Sequence, residues 1–387
     1  MKNKTLLLGM MVLIPFSLLN LSCEKDSPNK ILQQELPQPD IDKFAENLEN
    51  YINWNNDEPI GWSYSISKNG VLRKARAFGS ARTAVDGQLD FKTTKKINVA
   101  SVSKFYTAIA VMQLLEANDL TIDDKIAPYL PPGWWNVGPG VNDLTFRELL
   151  THTSGLQSTN SDFSNTLSYA GIKTCIETGV VNSKDPNYLN VNFALFRILI
   201  PSLWRNLPNG PYVDLNSDNS TQFVYQAYML QNVFQPIGLN NIDCVPEGRT
   251  VSTLYYNVNN QNSGSGLYYG DWTAISGGGG FFMTTIEMAA VNAYFEHSEL
   301  LLSKAQRDIM KDNRIGMDNG IGSMELHGKY YGKNGSISNS GQGVLIQIEM
   351  FPLNGIDCVV TMNTQGVTFK NSSLKRTIYE AYNDSWE

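Results

Sequence analysis

The sequence predicts an α/β (α+β) protein, an antiparallel sheet flanked by helices with a helical subdomain inserted into it. Three observations carry this. Strand patterns occur near both ends of the folded part, a helix apolar on both faces follows the first of them, and the middle holds short helical patches. A sheet drawn from about 41–98 and 280–387, with helices over about 99–279 packed beside it, buries all of these faces.

Residues 1–22 read as a signal peptide. Lys2 and Lys4 precede an apolar run that Pro15 interrupts, and the run is shorter than the ~20 residues a membrane span needs. The run stops at Leu21-Ser22-Cys23, followed by Glu24-Lys25-Asp26. This resembles a bacterial lipoprotein cleavage site, in which Cys23 is lipidated, although Asn20 stands where an aliphatic residue is usual. Residues 23–40 contain Pro28, Pro37 and Pro39 and suit a lipid-anchored tether. The folded domain is then 41–387.

Ile41, Phe44, Leu48, Tyr51 and Ile52 have helical spacing. Trp62, Tyr64 and Ile66 alternate as in a strand, Asn69-Gly70 is a hairpin turn, and 71–78 returns. Residues 99–120 read as one helix, with Val102, Phe105, Tyr106 and Ile109 on one stripe and Ala108, Val111 and Leu115 on another. A helix apolar on both faces belongs inside a domain. A short capped helix follows in 144–156, then helical patches at 192–200 and 223–234. Ser276 and the four glycines after it force a tight turn before a helix at 286–295. Strands at 343–350 and 357–362 flank a turn at 352–355, and a helix over 372–382 closes the chain.

Composition excludes several functions. The 387 residues are 42% hydrophobic with a net charge of -7, and no basic stripe marks a nucleic-acid surface. The three histidines, His152, His297 and His327, lack metal-ligand spacing, so a catalytic zinc site is not expected. Cys175, Cys244 and Cys358 lie far apart and read as buried apolar residues, with a Cys175–Cys244 bridge left open.

The chemistry centres on Ser101 and Lys104, which are three apart and meet on a helix. A serine hydroxyl needs a base and a seat for the oxyanion. Burial and the positive end of the helix dipole both disfavour an ammonium at Lys104 and so favour a base there. Taken alone, the pair reads first as an N-capping serine beside a solvated lysine, because Ser-x-x-Lys is common by chance. Ser103 has no amine partner in that register.

Around this pair the segments 100–107, 120–130 and 149–156 resemble the serine β-lactamase-related family, which includes class C β-lactamases, D-alanyl-D-alanine carboxypeptidases, D-aminopeptidases and certain esterases. Tyr188-Leu189-Asn190 matches its Tyr-x-Asn motif and Lys333-Asn334-Gly335 its C-terminal triplet. The resemblance implies a β-lactamase/transpeptidase-like fold and an acyl-enzyme on Ser101, with Lys104 and Tyr188 sharing the proton. Asn190 holds the substrate or Lys104, Lys333 attracts a carboxylate, Gly335 lets the strand approach, and the N–H groups of Ser101 and Ser336 form the oxyanion hole. Each motif has a plainer reading: Tyr188 a surface aromatic, Asn190 a turn former, 333–335 a hairpin turn, His152 a structural loop residue. Two departures stand out. Asn334 occupies the place of a threonine that helps grip carboxylates, and Glu287 that of an aspartate. The reading is a serine hydrolase of the cell envelope, periplasmic or outer-membrane, anchored by lipid. It acts by acyl transfer, which calls for no metal or organic cofactor, on a small-molecule or peptidoglycan-like peptide substrate through an amide or ester bond, a β-lactam being less favoured. A non-catalytic envelope binding protein with the same fold is the rival.

Overall fold

The first helix, α1 (Ile41–Ile52), begins where the sequence places it, because the Asp40 carboxylate caps the N–H groups of Asp42 and Lys43. The structure, a computed structural model, describes residues 37–54, 58–157, 163–260, 264–318 and 324–386. The signal segment, Cys23 and most of the tether lie outside the described residues.

After α1 come β1 (Gly61–Lys68) and β2 (Val71–Arg82), joined at Asn69 and Gly70, both with positive φ. Near the C-terminus β3 (Tyr331–Asn339), β4 (Gln342–Phe351) and β5 (Ile356–Met362) follow one another. The five pair antiparallel in the order β2-β1-β5-β4-β3, so the two ends of the chain meet at β1 and β5. Two-residue strands extend this sheet. Leu89–Asp90 adds to β2, Tyr256–Asn257 pairs with β4, and Thr364–Gln365 runs parallel to Tyr256–Asn257. The helical middle therefore lends one short strand to the sheet.

One face of the sheet is covered by α1 and the closing helix, here α4 (Leu374–Asn383). Trp62, Tyr64 and Ile66 of β1 and Cys358, Val360 and Met362 of β5 pack there against Phe44, Leu48, Ile378 and Tyr382. The serines between them are buried too. Ser63 Oγ lies 2.9 Å from Thr361 Oγ1 and 2.5 Å from Thr285 Oγ1, the first residue of α3 (Thr285–His297). Alternation shows which residues face α1, but it gives no sign that the other face is covered as well.

The predicted helix at 99–120 is corrected at both ends. Ala100 has φ +50° and Ala100–Val102 forms a single 3-10 turn. The α-helix proper, α2, is Ser103–Ala117, followed by Asp119 at φ +56°. Between its ends it is the buried rod the pattern implies, with Phe105, Ala108, Ile109, Val111 and Leu115 at most 2% exposed. Burying one such side chain stabilises by about 1.5–3 kcal/mol. Helices Asn190–Ala194, Phe196–Arg205 and Asp218–Tyr228 surround it. The helices Tyr169–Thr178 and Lys304–Asn313 are among those with no forecast from the sequence. Cys175, Cys244 and Cys358 are buried free thiols, and the bridge left open does not form. Among the described residues no helix is long and apolar enough to cross a membrane. Gln38–Glu387 forms one compact unit.

Candidate active site

The approach to Ser101 is fixed from behind by a two-stranded ladder. Ile97–Asn98 pairs with Phe282–Met283, Val99 N–H bonds Phe281 O at 2.9 Å, and Asn98 Oδ1 accepts the Ala100 N–H at 2.8 Å. The left-handed Ala100 then turns the chain sharply into the 3-10 turn that presents Ser101. An alanine in this region costs roughly 1–2 kcal/mol, and strain of this kind concentrates at functional sites.

One helical turn on, Lys104 is fully buried. Its Nζ donates to Ser101 Oγ at 3.1 Å, to Asn190 Oδ1 at 2.8 Å and to Gly278 O. Gly278 belongs to the glycine-rich turn, where Gly277 and Gly280 take φ of +98° and +108°. Burial pushes the Lys104 amine below the usual lysine range, and the like charge of Lys333 pushes the same way, while Tyr188 opposes.

Tyr188 and Asn190 reach the same place because Leu189 between them is extended, at φ -124° and ψ 125°. Alternate residues of an extended segment share a side. Tyr188 Oη is 2.9 Å from Ser101 Oγ. Its ring centroid lies 5.0 Å from Lys104 Nζ and 5.3 Å from Lys333 Nζ. Burial raises the pKa of the phenol, but the two cations and its hydrogen bonding with Lys104 and Ser101 outweigh this, so the net shift is downward.

Lys333, Asn334, Gly335 and Ser336 lie within β3 and not in a turn, which is at Ser340-Gly341. Lys333 is 3% exposed. A Cβ on Gly335 would stand 2.5 Å from Val99 O, so this glycine lets the strand lie against the Ser101 turn. Backbone groups alternate sides along β3. Gly332 O accepts from Asp318 N at 2.9 Å and Asn334 N donates to Asp318 Oδ2 at 2.6 Å. Even-numbered residues therefore point their N–H and C=O away from β4, and the Ser336 N–H faces the same outer edge as Ser101. Asn334 Nδ2 lies 3.4 Å from both Ile346 O and Gln347 Oε1, and Asn334 and Gln347 both line the cleft beside Ser336.

The eight predicted site residues thus come together, with Asn334 on the wall of the same cleft. Ser101, Tyr188, Lys333 and Ser336 line a cleft of about 790 Å³ that continues over the sheet to Gln347 and Leu374. Cys23 lies outside the described residues. Two participants escaped sequence reasoning. Asp318 makes an ion pair with Lys333, and only the fold brings this isolated acid to β3. His152, read as a loop residue, packs its ring 4.4 Å from that of Tyr188 and accepts the Leu189 N–H on Nδ1 at 3.3 Å. Burial first, then the two lysines, push its pKa down to about 3, so it stays neutral as a wedge behind Tyr188. Among the described residues no group of three or more His, Cys, Asp or Glu side chains could hold a metal ion.

Residues 56–201 match the sequence profile of the family described as Beta-lactamase. PbpX of Bacillus subtilis (strain 168), named for the penicillin-binding proteins, is 24% identical over 318 residues, 77% of this chain and 72% of its own. The crystal structure of FmtA from Staphylococcus aureus superimposes with a TM-score of 0.67 at 16% identity, covering 91% of each chain. A D-stereospecific amidohydrolase from Streptomyces sp. gives a TM-score of 0.63 at 16% identity, covering 89% of this chain and 98% of that one. The sheet, its flanking helices and their order are those of β-lactamases and penicillin-binding proteins, and this chain has their fold.

Proposed function

We propose that the chain is a serine hydrolase that opens an amide or ester bond through an acyl-enzyme on Ser101. One observation carries this reading: Ser101 Oγ lies within 3.1 Å of Lys104 Nζ and 2.9 Å of Tyr188 Oη, two bases whose pKa values are both shifted down. Ser101 Oγ attacks the carbonyl carbon while its proton passes to the Lys104–Tyr188 pair. The oxyanion is held by the N–H groups of Ser101 and Ser336. On collapse the bond to the amine or alcohol breaks, and the leaving group takes that proton. Water then attacks the acyl carbon and gives its proton to the same pair, which releases the acid and restores Ser101. Asn190 and Gly278 hold Lys104 in place.

D-amino-acid peptides and small esters are the substrates this reading favours, in keeping with the name of the amidohydrolase neighbour. Asn334 in the place of a carboxylate-gripping threonine argues against a β-lactam. The test is covalent labelling by a fluorophosphonate and by a fluorescent penicillin. Ser101 is expected to carry the fluorophosphonate, and Ser101→Ala to carry none. Labelling that persists in that variant removes Ser101 as nucleophile, and no labelling of the unmodified protein favours the non-catalytic rival. We also infer that Cys23 bears lipid and places the chain at the cell envelope. Incorporation of a labelled fatty acid that Cys23→Ala does not abolish overturns this.

A further inference from the structure

Asp318 stands outside the strand edge at the mouth of the cleft. Three bonds fix it: its N–H to Gly332 O, its Oδ2 on the Asn334 N–H, and its Oδ1 on the Lys333 ammonium. An edge-strand N–H next to an ammonium is the donor set that a carboxylate lying along β3 would require. Here a carboxylate of the protein already fills it. The described charged residues that line the cleft are Asp318, Lys333 and Lys375. Lys375 belongs to the first turn of α4, with its ammonium 5.7 Å from the centre of the Tyr330 ring. Near Ser101 the Lys333 charge is therefore compensated, and Asp318, with its side chain 31% exposed, turns part of a negative group toward the substrate.

We propose that Asp318 is a specificity residue that selects against a carboxylate beside the scissile bond, so that the substrate carries a neutral or cationic group along β3. This rests on the reading of Ser101 as nucleophile and narrows its substrate class. The chemistry fits an ester, a blocked peptide or a peptide with a nearby amine better than a peptide ending in a free carboxylate at the cleaved bond. A substrate carboxylate there would have to displace Asp318 or sit against it, and like charges a few ångströms apart in a partly desolvated cleft repel strongly.

The experiment compares rates of Ser101 labelling by two fluorophosphonates of equal length, one with a neutral amide tail and one with a carboxylate tail. The unmodified protein is expected to react at least tenfold faster with the neutral probe. In Asp318→Asn the ratio of the two rates is expected to shift about tenfold toward the carboxylate probe, which corresponds to about 1.4 kcal/mol. Asp318→Glu, which keeps the charge, is expected to retain the original order. A purely structural role would slow both probes in parallel and leave the ratio unchanged. A shift below threefold in Asp318→Asn overturns the proposal, and so does a preference for the carboxylate probe in the unmodified protein. Failure of Ser101 to label with either probe overturns instead the reading of the nucleophile.

Discussion

Lys104 carries three ammonium hydrogens, and its acceptors include Ser101 Oγ, Asn190 Oδ1 and Gly278 O, with the Tyr188 oxygen also in reach. When it gives up one proton the contact to Ser101 can reverse, with the hydroxyl donating to the nitrogen lone pair and the other two bonds kept. The same geometry thus serves both protonation states. Lys104→Ala is expected to lower the labelling rate of Ser101 at least a hundredfold, a typical loss for a general base, with an unchanged circular dichroism spectrum. In the unmodified protein the rate should rise with pH along a limb centred below the ordinary lysine and tyrosine values of 10.5 and 10.0, because both groups are shifted down. That limb belongs to the coupled pair. A midpoint at the ordinary values removes the pair from the mechanism. A second titration bears on stability. Burial pushes the Asp357 carboxyl from 3.8 up to about 6, with His297 Nε2 3.4 Å away. The folded chain holds this proton more tightly than the unfolded chain. The resulting stabilisation is complete below pH 3.8 and is lost as pH rises through about 6. Relative to Asp357→Asn, the unmodified protein should lose on the order of 2–3 kcal/mol between pH 4 and 7, read by urea unfolding. A difference that does not change with pH contradicts this. At this scale the sequence was most legible where chemistry is local: Ser101 with Lys104, and Tyr188 with Asn190, are two or three residues apart. Asp318 has no such neighbour, and its role depends on a strand edge that only the folded chain possesses.

The elements that carry the site were read unevenly, and for physical reasons. The apolar stripes of α2 show through because a helix buried on all sides has no room for polar residues. Its first turn was misread because nothing in Ala100-Ser101-Val102 reveals a left-handed alanine; a close-packed ladder imposes that conformation. β3 is hard to see because Lys333, Asn334 and Ser336 are polar where a strand pattern would want Val or Ile. The helix Lys304–Asn313 is mostly polar, with Gln306 and Met310 as its buried residues, and gives only a faint period. The contact between β3 and the turn before α2 can be tested at Gly335. Gly335→Ala should push the strand from Val99 O, separate Ser336 from Ser101, and slow labelling at least tenfold. The effect on the urea midpoint should be small, since β3 is an edge strand. Unchanged labelling would show that the two elements are not held as close as 2.5 Å implies.

At the scale of the whole molecule, the sheet draws on both ends of the chain and the helical middle packs beside it, as strand patterns at the termini and helical patches between them suggest. The lent strand Tyr256–Asn257 is too short to leave a pattern. α1 and α4 cover one sheet face together and both pack over Trp62 and Tyr64. A chain that starts at Gln38 should fold and label at Ser101 like the full chain, because the compact unit begins there. A chain that stops before Ser373 loses α4 and should be insoluble. Soluble, reactive protein from the second truncation would show that α4 is dispensable.

Ser101, Lys104 and Tyr188 leave the ribosome long before β3 does, and Lys333 and the Ser336 N–H that complete the site arrive only when that late strand pairs with β4. A nascent or half-finished chain therefore carries an inert alcohol, harmless to its surroundings. Reaction with an electrophile counts finished molecules, and the same reagent can serve as a clock for the last step of maturation.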